Sequence, residues 1–378
     1  MNESTTYVGM DTHKLVHAVA ILLPGSDRPL ELTVASGEQQ VRKMVRRVLR
    51  KAPGEVVFCY EAGVCGFTLA RVIKDEGAAC MVIAPTLVPV RPGKKIKTDR
   101  RDAKNLAELL RAGLLVEVHL PDEATEAVRD MVRCRQAAVA DLQRTRQRLG
   151  KFLTRRGFIY TAGNAWTQKH LAWVDGLRFV EPADTLTMAS YRRELDWRGK
   201  RVAELAADIE EIATEEPYAE PVGWLCCFHG IKTLTAMTIL TELHEFSRFQ
   251  SPRQLMSYLG LTPSEHSSGQ TERKGGITKA GNRRVRRVLI EAAWQQGRAK
   301  TVSKTLTQRR AGQPQWVVNI ADRARHRLHR RYHRLTKRGK LSVVANTAVS
   351  RELAGFIWAV LCPQARAARE QSESACRT

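Results

Sequence analysis

The sequence lacks the features that mark membrane, secreted and disulfide-rich proteins. Its apolar runs, such as Leu353–Leu361, are far shorter than the ~20 residues that cross a bilayer. Its first residues have neither the basic nor the apolar region of a secretory signal. No two of the eight cysteines have the Cys-x-x-Cys spacing of zinc or redox sites, so we expect small apolar or inert thiols. These features predict a cytoplasmic protein, and the basic charge described next favours association with the nucleoid.

Acidic residues are scarce relative to basic ones. The 378 residues contain 62 Lys and Arg against 39 Asp and Glu, a net charge of +23. Between Thr271 and Lys340 there are 21 basic residues and three acids, an excess of 18 within 70 residues. Charge of one sign at this density indicates a polyanionic partner, most often nucleic acid.

The basic segment divides into two parts. An apolar stripe that includes Val285, Val288 and Leu289 predicts a helix within Thr271–Lys300. For Gln308–Lys340, a basic helix and a disordered tail are equally open.

The first 83 residues read as strands and helices in the order of an RNase H-like mixed sheet. Apolar and β-branched runs predict strands at Tyr7–Asp11, Val16–Leu23, Leu30–Val34, Val56–Tyr60 and Ala79–Ile83. Helical periodicity predicts helices at Gln39–Leu49 and Gly66–Glu76.

The remainder reads as mainly helical. A seven-residue repeat predicts a long helix with a coiled-coil seam over Ala124–Leu153, and a second helix follows over Arg192–Ile212. Gly223–Leu243 fits either a helix-hairpin-helix that grips a DNA phosphate or a simple packing turn.

Four acids stand where carboxylates could converge. Asp11 and Glu61 end two predicted strands, and Asp99 and Asp102 share one face of a helix that opens there and continues to about Arg111. Carboxylate oxygens are the ligands that Mg²⁺ prefers, and two such ions can polarise a scissile phosphate. Each acid alone also fits a structural role, as a turn, surface or helix-capping residue. Together they favour a metal site, with nearby cations for the DNA backbone at Lys94, Lys95, Lys97, Arg100 and Arg101.

A second group of residues surrounds the serines at 264, 267 and 268. They lie on a Gly-flanked loop that leads into the basic segment. Serines there are usually turn formers, but a hydroxyl held against a phosphodiester among cations could act as a nucleophile. The cations expected to contact nucleic acid here are Lys274, Lys279, Arg283, Arg284 and Arg287.

At these motifs the sequence resembles the insertion sequence 110 family of transposases and the related Piv-type DNA invertases. The N-terminal motifs are Gly-x-Asp-x-x-Lys at 9–14, Glu-Ala-Gly at 61–63 and Thr-Asp-x-x-Asp-Ala at 98–103. The C-terminal ones are Phe249, 251–255, Gly-Leu-Thr-Pro at 260–263, Ser-Gly at 268–269 and 276–286. The resemblance covers about 6–160 and 220–297.

The resemblance implies a RuvC-like domain with the tetrad Asp11, Glu61, Asp99 and Asp102, and a transposase domain whose catalytic serine is Ser268, with Ser267 and Ser264 as fallbacks. It implies Mg²⁺, a covalent serine–DNA linkage, a dimer or tetramer, and a bridge RNA that pairs with donor and target DNA. We expect a RuvC-like domain at 1–115, a helical coiled-coil region at 116–220, the transposase domain at 221–300 and a basic helical extension at 301–378.

Three other functions remain open from the sequence. A RuvC-like nuclease for branched DNA would need the four acids but no serine. A site-specific DNA invertase would share the whole motif set. A regulator without catalysis would keep the fold only for its basic surface.

Overall fold

The structure, a computed structural model, describes residues 4–89, 98–265, 273–298, 301–363, 365 and 367. The chain forms two compact units, Met1–Pro121 and Asp122–Thr378. The finer division into four parts stays a prediction.

The described part of the first unit forms a five-stranded sheet with flanking helices. Its elements are β1 (Thr6–Thr12), β2 (Val16–Leu22), β3 (Leu30–Ala35), α1 (Glu38–Lys51), β4 (Val56–Glu61), α2 (Thr68–Asp75), β5 (Ala79–Ile83) and α3 (Asp99–Arg111). The strand order is β3-β2-β1-β4-β5. The pairs β1–β2 and β2–β3 are antiparallel, whereas β1–β4 and β4–β5 are parallel. This mixed α/β architecture is compatible with the RNase H-like domain that the sequence predicts.

The sheet is covered on both faces because its strands alternate apolar side chains between them. One face packs against α1 and α2 through residues such as Val8, Phe58 and Val45. The other face packs against α3, where small residues meet small residues: Ala18 and Ala20 of β2 face Ala103 and Ala107.

The second unit is mainly helical. Its elements are α4 (Glu123–Arg155), α5 (Gln168–Asp175), α6 (Pro182–Ile212), α7 (Ala219–Cys226), α8 (Thr233–Leu243), α9 (Pro252–Tyr258), β6 (Pro263–Glu265), β7 (Lys274–Ile277), α10 (Arg283–Arg298), α11 (Lys304–Arg310), α12 (Gln315–Lys337) and α13 (Ser342–Leu361). Its largest core lies among α7 to α10, α12 and α13.

The two long helices α4 and α6 pack against each other through buried residues that include Leu142, Leu149 and Leu195. Helix α4 is present as expected and is capped by Asp122, whose Oδ1 accepts a hydrogen bond from the amide of Thr125 at 2.6 Å. The expected start of the second helix at residue 192 is wrong, because α6 begins ten residues earlier, at Pro182. Proline suits the first turn of a helix, where its missing N–H has no partner to lose.

Packing within the second unit bears on two segments for which the sequence left alternatives open. Most of the segment 308–340 forms α12, whose Val317, Ile320 and Leu328 are buried in the core. The segment is therefore not a disordered tail. In the turn between α7 and α8, a Cβ at Gly230 would lie 2.5 Å from the carbonyl oxygen of Ala292. This close approach to α10 favours a packing turn.

Candidate active site

The alternation of side chains along β1 decides which face of the sheet carries Asp11. Val8 and Met10 are fully buried on the face covered by α1 and α2. Tyr7 packs on the opposite face, beside α3. Because alternate residues of a strand share a face, Asp11 emerges on the side of α3.

Glu61 reaches the same side from the neighbouring strand. Met10 of β1 pairs with Tyr60 of the parallel strand β4, so the next residues along the two strands are Asp11 and Glu61. Cys59, two residues before Glu61, packs against α3. Neighbouring strands lie about 5 Å apart, so the two carboxylates start from adjacent positions.

Gly9 allows α3 to lie directly against β1. A Cβ at this position would stand 2.2 Å from the carbonyl oxygen of Ala103 and 2.4 Å from the amide nitrogen of Ala107. Both are backbone atoms, so no side-chain rotation could relieve the clash. The contact therefore requires glycine, and it places the start of α3 at the end of β1.

The first turn of α3 supplies the other two acids. Thr98 caps the helix, its Oγ1 accepting a hydrogen bond from the amide of Arg101 at 3.4 Å. Asp99 and Asp102 follow in the first turn, where the partial positive charge of the helix end favours carboxylates. Asp99 is well exposed, with 62% of its side chain accessible, and Asp102 is half-buried.

His13 joins the acids and is the site residue that sequence reasoning missed. Its Nε2 lies 3.4 Å from Oδ2 of Asp11 and 3.4 Å from Oδ2 of Asp99. Ligand atoms of these three residues all lie within 4.8 Å of one another. The spacing of His13 from Asp11 could have indicated it, because a residue two positions later continues the same face of an extended chain.

Burial raises the pKa of Asp11 above its usual range, and the charges of Asp99 and Asp102 raise it further, while His13 acts in the opposite direction. A cation placed beside Asp11 would offset both its burial and the negative charges around it. The electrostatics of this corner therefore favour a bound positive ion.

The predicted cations near these acids are only partly described. Arg100 and Arg101 are exposed on the first turn of α3. Lys94, Lys95 and Lys97 lie outside the described residues.

The predicted serine loop is anchored by the antiparallel pair β6 and β7. The hydroxyl of Ser264, on β6, donates to the carbonyl oxygen of Gly276 at 3.1 Å, so it is engaged across the hairpin. Ser267 and Ser268 lie outside the described residues, as does the side chain of Lys274. The exposed Lys279 has a positive φ of 57°, and its amide donates to the carbonyl of Gly260 at 3.1 Å.

The remaining predicted cations gather at the start of α10. Arg283, Arg284 and Arg287 line a cavity of about 520 Å³ together with Arg133 of α4. Sequence reasoning did not find Arg133, because it stands 150 residues earlier in the chain. The four guanidinium groups make this cavity suitable for phosphate.

A buried carboxylate holds that arginine group together. The side chain of Glu242 is 1% exposed and accepts hydrogen bonds from Arg133 at 2.7 and 2.9 Å and from Asn282 at 2.8 Å. Arg284 lies 3.5 Å away. Burial opposes ionisation of Glu242, but these partners outweigh it and lower its pKa. Asn282 also caps α10, accepting from the amides of Arg284 and Val285 at 3.0 Å.

Comparison with known proteins matches both units. A family model of IS110-type DEDD transposases covers 8–157, and one described as the transposase IS116/IS110/IS902 family covers 224–308. The chain is 40% identical over 366 residues to y4qE of Sinorhizobium fredii, which carries a transposase name; the match covers 96% of this chain and 89% of y4qE. It is 38% identical over 341 residues to the transposase for insertion sequence element IS1533 of Leptospira borgpetersenii, covering 89% and 98% of the two chains. The chain belongs to the IS116/IS110/IS902 family of transposases.

The transposase is thus an enzyme that cleaves and transfers DNA. A DEDD domain implies a divalent metal, and the donors on this chain fit one. Asp11, Asp99 and His13 already approach one another closely, and carboxylate oxygens suit hard divalent cations. No helix in the described ranges is both long and apolar enough to span a membrane.

Proposed function

We propose that this transposase cuts and rejoins the DNA of its insertion sequence with Mg²⁺ held by Asp11, Glu61, Asp99 and Asp102. The observation that carries the proposal is the approach of α3 to β1 at Gly9, since it sets the start of the helix beside the end of the strand. The ion supplies charge stabilisation for the phosphoryl oxygens. His13, 3.4 Å from Asp11 and Asp99, positions both carboxylates.

We propose Ser268 as the nucleophile of strand cleavage. Its Oγ forms a bond to phosphorus while one P–O bond of the DNA breaks. The serine proton passes to the departing oxygen, which leaves as a hydroxyl. The resulting ester conserves the phosphodiester linkage, so a hydroxyl of a second DNA strand can reverse the step. Ser264 suits this role less well because its hydroxyl donates across the hairpin to Gly276.

The basic residues around the two sites hold the nucleic-acid backbone. Arg100 and Arg101 stand exposed next to the acids. Arg283, Arg284 and Arg287 surround the cavity at the start of α10, and with Arg133 they suit phosphate groups. Lys94, Lys95, Lys97, Lys274 and Lys279 complete the proposed set. Binding through such contacts weakens steeply with salt.

We further propose that target choice is delegated to a bridge RNA encoded by the element, with the protein reading backbone and shape. The enzyme would work in the cytoplasm on nucleoid DNA as a dimer or tetramer. Helices α4 and α6 would contact another protomer and hold the RNA. Sequencing of the nucleic acid that copurifies with the transposase tests the first point. A discrete RNA from beside its coding region supports the proposal, and random cellular RNA contradicts it.

Cleavage of DNA that carries an end of the element tests the two catalytic roles separately. With Mg²⁺, the wild type should cut and leave protein attached to DNA on a denaturing gel. Asp11→Asn should abolish cleavage, and Ser268→Ala should abolish both cleavage and the attachment. Ser264→Ala is the matched control and should keep both.

The competing functions give different results in the same assay. A RuvC-like nuclease would still cut DNA after Ser268→Ala and would never become attached to it. A non-catalytic regulator would bind DNA without cutting it in the wild type. An invertase would recombine inverted sites within one DNA molecule without excising the element.

A further inference from the structure

Helix α12 separates its basic residues by face. Five of them fall at intervals of four, three, four and three residues along one exposed face: Arg323, Arg327, Arg330, Arg334 and Lys337. At 3.6 residues per turn they occupy an arc of about 80° and a length of about 21 Å. We call this row the α12 cationic face. An adjacent face, which carries Val317, Ala324 and Leu328, is buried in the core of the unit.

Two acids, Asp322 and Glu352, pair with basic residues beside this row. Arg310 and Arg325 lie 3.0 and 3.4 Å from Asp322, and Arg331 lies 2.8 Å from Glu352. Within the α12 cationic face, Arg327 shares Glu352 at 2.9 Å. For the other four members, no carboxylate of a described residue forms an ion pair. The positive charge of the segment is therefore concentrated on the outward face.

A groove of about 780 Å³ runs beside the α12 cationic face, between α9, α12 and α13. Arg323, Arg327 and Arg330 line it, together with the apolar side chains of Met256 and Phe356. Its two carboxylates, Asp322 and Glu352, are each paired with two arginines. The DNA backbone complements such a lining, because its phosphate esters are anionic and its deoxyribose sugars are less polar.

We propose that the α12 cationic face and its groove bind the sugar–phosphate backbone of duplex DNA, as a contact separate from the cleavage site. Charge complementarity selects a polyanion, and DNA is the polyanion on which a transposase acts. A straight row of cations suits a duplex, which presents its charges regularly, about one per 1.7 Å of axis. The inference goes beyond the metal and serine chemistry proposed above and depends on neither.

The test measures binding of a random-sequence duplex of about 30 base pairs, longer than the row, by fluorescence anisotropy over a salt series without divalent ions. The variant changes Arg323, Arg330, Arg334 and Lys337 to Gln in the full chain. If all four contact phosphates, the slope of log K against log salt should become shallower by about 3 to 4. Affinity near 0.1 M salt should fall at least about tenfold.

The matched control removes four exposed cations from the other unit, by changing Lys43, Arg47, Arg50 and Lys51 of α1 to Gln. Its net charge equals that of the first variant, so only the location of the charge differs. A slope change confined to the α12 variant supports the proposal. An equal change in both variants, or none in either, overturns it.

Two further readouts distinguish DNA from RNA as the occupant and separate this contact from the cleavage site. Weaker binding of a structured RNA with unchanged DNA binding would assign the face to RNA and overturn the proposal. The binding assay contains neither a divalent ion nor a cut site, so its outcome is independent of the metal and serine proposals, which Asp11→Asn and Ser268→Ala test through cleavage. If the fourfold variant unfolds, Arg334→Gln with Lys337→Gln should show about half the slope change.

Discussion

A single methyl group at Gly9 should disable the site without touching any of its polar groups. In Gly9→Ala, the new Cβ would stand 2.2 Å from the carbonyl oxygen of Ala103. A non-bonded contact needs more than about 3 Å, so α3 must move away from β1 by about 1 Å. Displacements of that size at a reacting centre cost about 10²-fold in rate. Overpacking of this kind costs about 1–3 kcal/mol of stability, which a domain of this size can tolerate.

Three measurements on the Gly9→Ala protein distinguish this effect from unfolding. Far-ultraviolet circular dichroism and thermal melting should report a folded protein with a lower Tm. Mn²⁺ affinity, measured by calorimetry, and cleavage of element-end DNA should both fall. A folded variant with the metal affinity and cleavage rate of the wild type would refute the claim that this contact sets the geometry of the acids.

Gly199→Ala is the matched control for the same chemical change. Gly199 lies within α6, and a Cβ there would meet no atom within 4 Å. Alanine is favoured over glycine in a helix interior by about 1 kcal/mol, so this variant should melt at a slightly higher temperature and cleave normally.

Three further predictions concern single side chains. Because the pKa of Asp11 is raised in the folded protein, the contribution of this residue to stability is lost as pH rises through that pKa. Asp11→Asn in EDTA should therefore melt above the wild type, by a margin that widens with pH. A constant margin would contradict the argument. Glu242→Ala leaves the half-buried Arg133 and Asn282 without this partner and should lower the free energy of unfolding in urea by about 1–3 kcal/mol. The exposed Glu291→Ala should lower it by less than about 1 kcal/mol, and equal losses would contradict the role given to Glu242. Ser264→Ala removes one exposed hydrogen bond and should lower the unfolding free energy by no more than about 1 kcal/mol.

The N-terminal strands were predictable because two independent signals coincide in them. Each predicted strand alternates or runs apolar over five to eight residues, and a turn or helix-start residue ends it. The observed ends differ from the predicted ones by at most one residue, and Ala79–Ile83 is the same in both. The parallel strands β4 and β5 are largely buried, so their continuous apolar runs could not be confused with surface segments.

The start of α6 could not be predicted from apolar periodicity. Its first ten residues are mostly exposed or half-buried, and Leu186 is 72% exposed. A solvent-facing helix has no apolar stripe, so the periodic signal begins only near Leu195, where α6 packs on α4. Pro182 favours a break when only the sequence is considered, although the same residue type also begins helices.

Contacts between distant parts of the chain were the second limit. The i, i+3 spacing of Asp99 and Asp102 was visible because both lie in one helical turn. The approach of His13 to Asp99 joins positions 86 residues apart, and that of Arg133 to Glu242 joins positions 109 apart. No local periodicity encodes such pairs, since they depend on how closely the elements pack.

The close packing of β1 and α3 explains why the N-terminal motifs contain small residues near the acids. Gly9 stands two residues before Asp11, and Ala103 directly follows Asp102; these two small residues face each other where β1 meets α3. A larger side chain at either position would separate the strand from the helix. The distance between the carboxylates of β1 and α3 is therefore governed by the residues beside the acids as much as by the acids themselves.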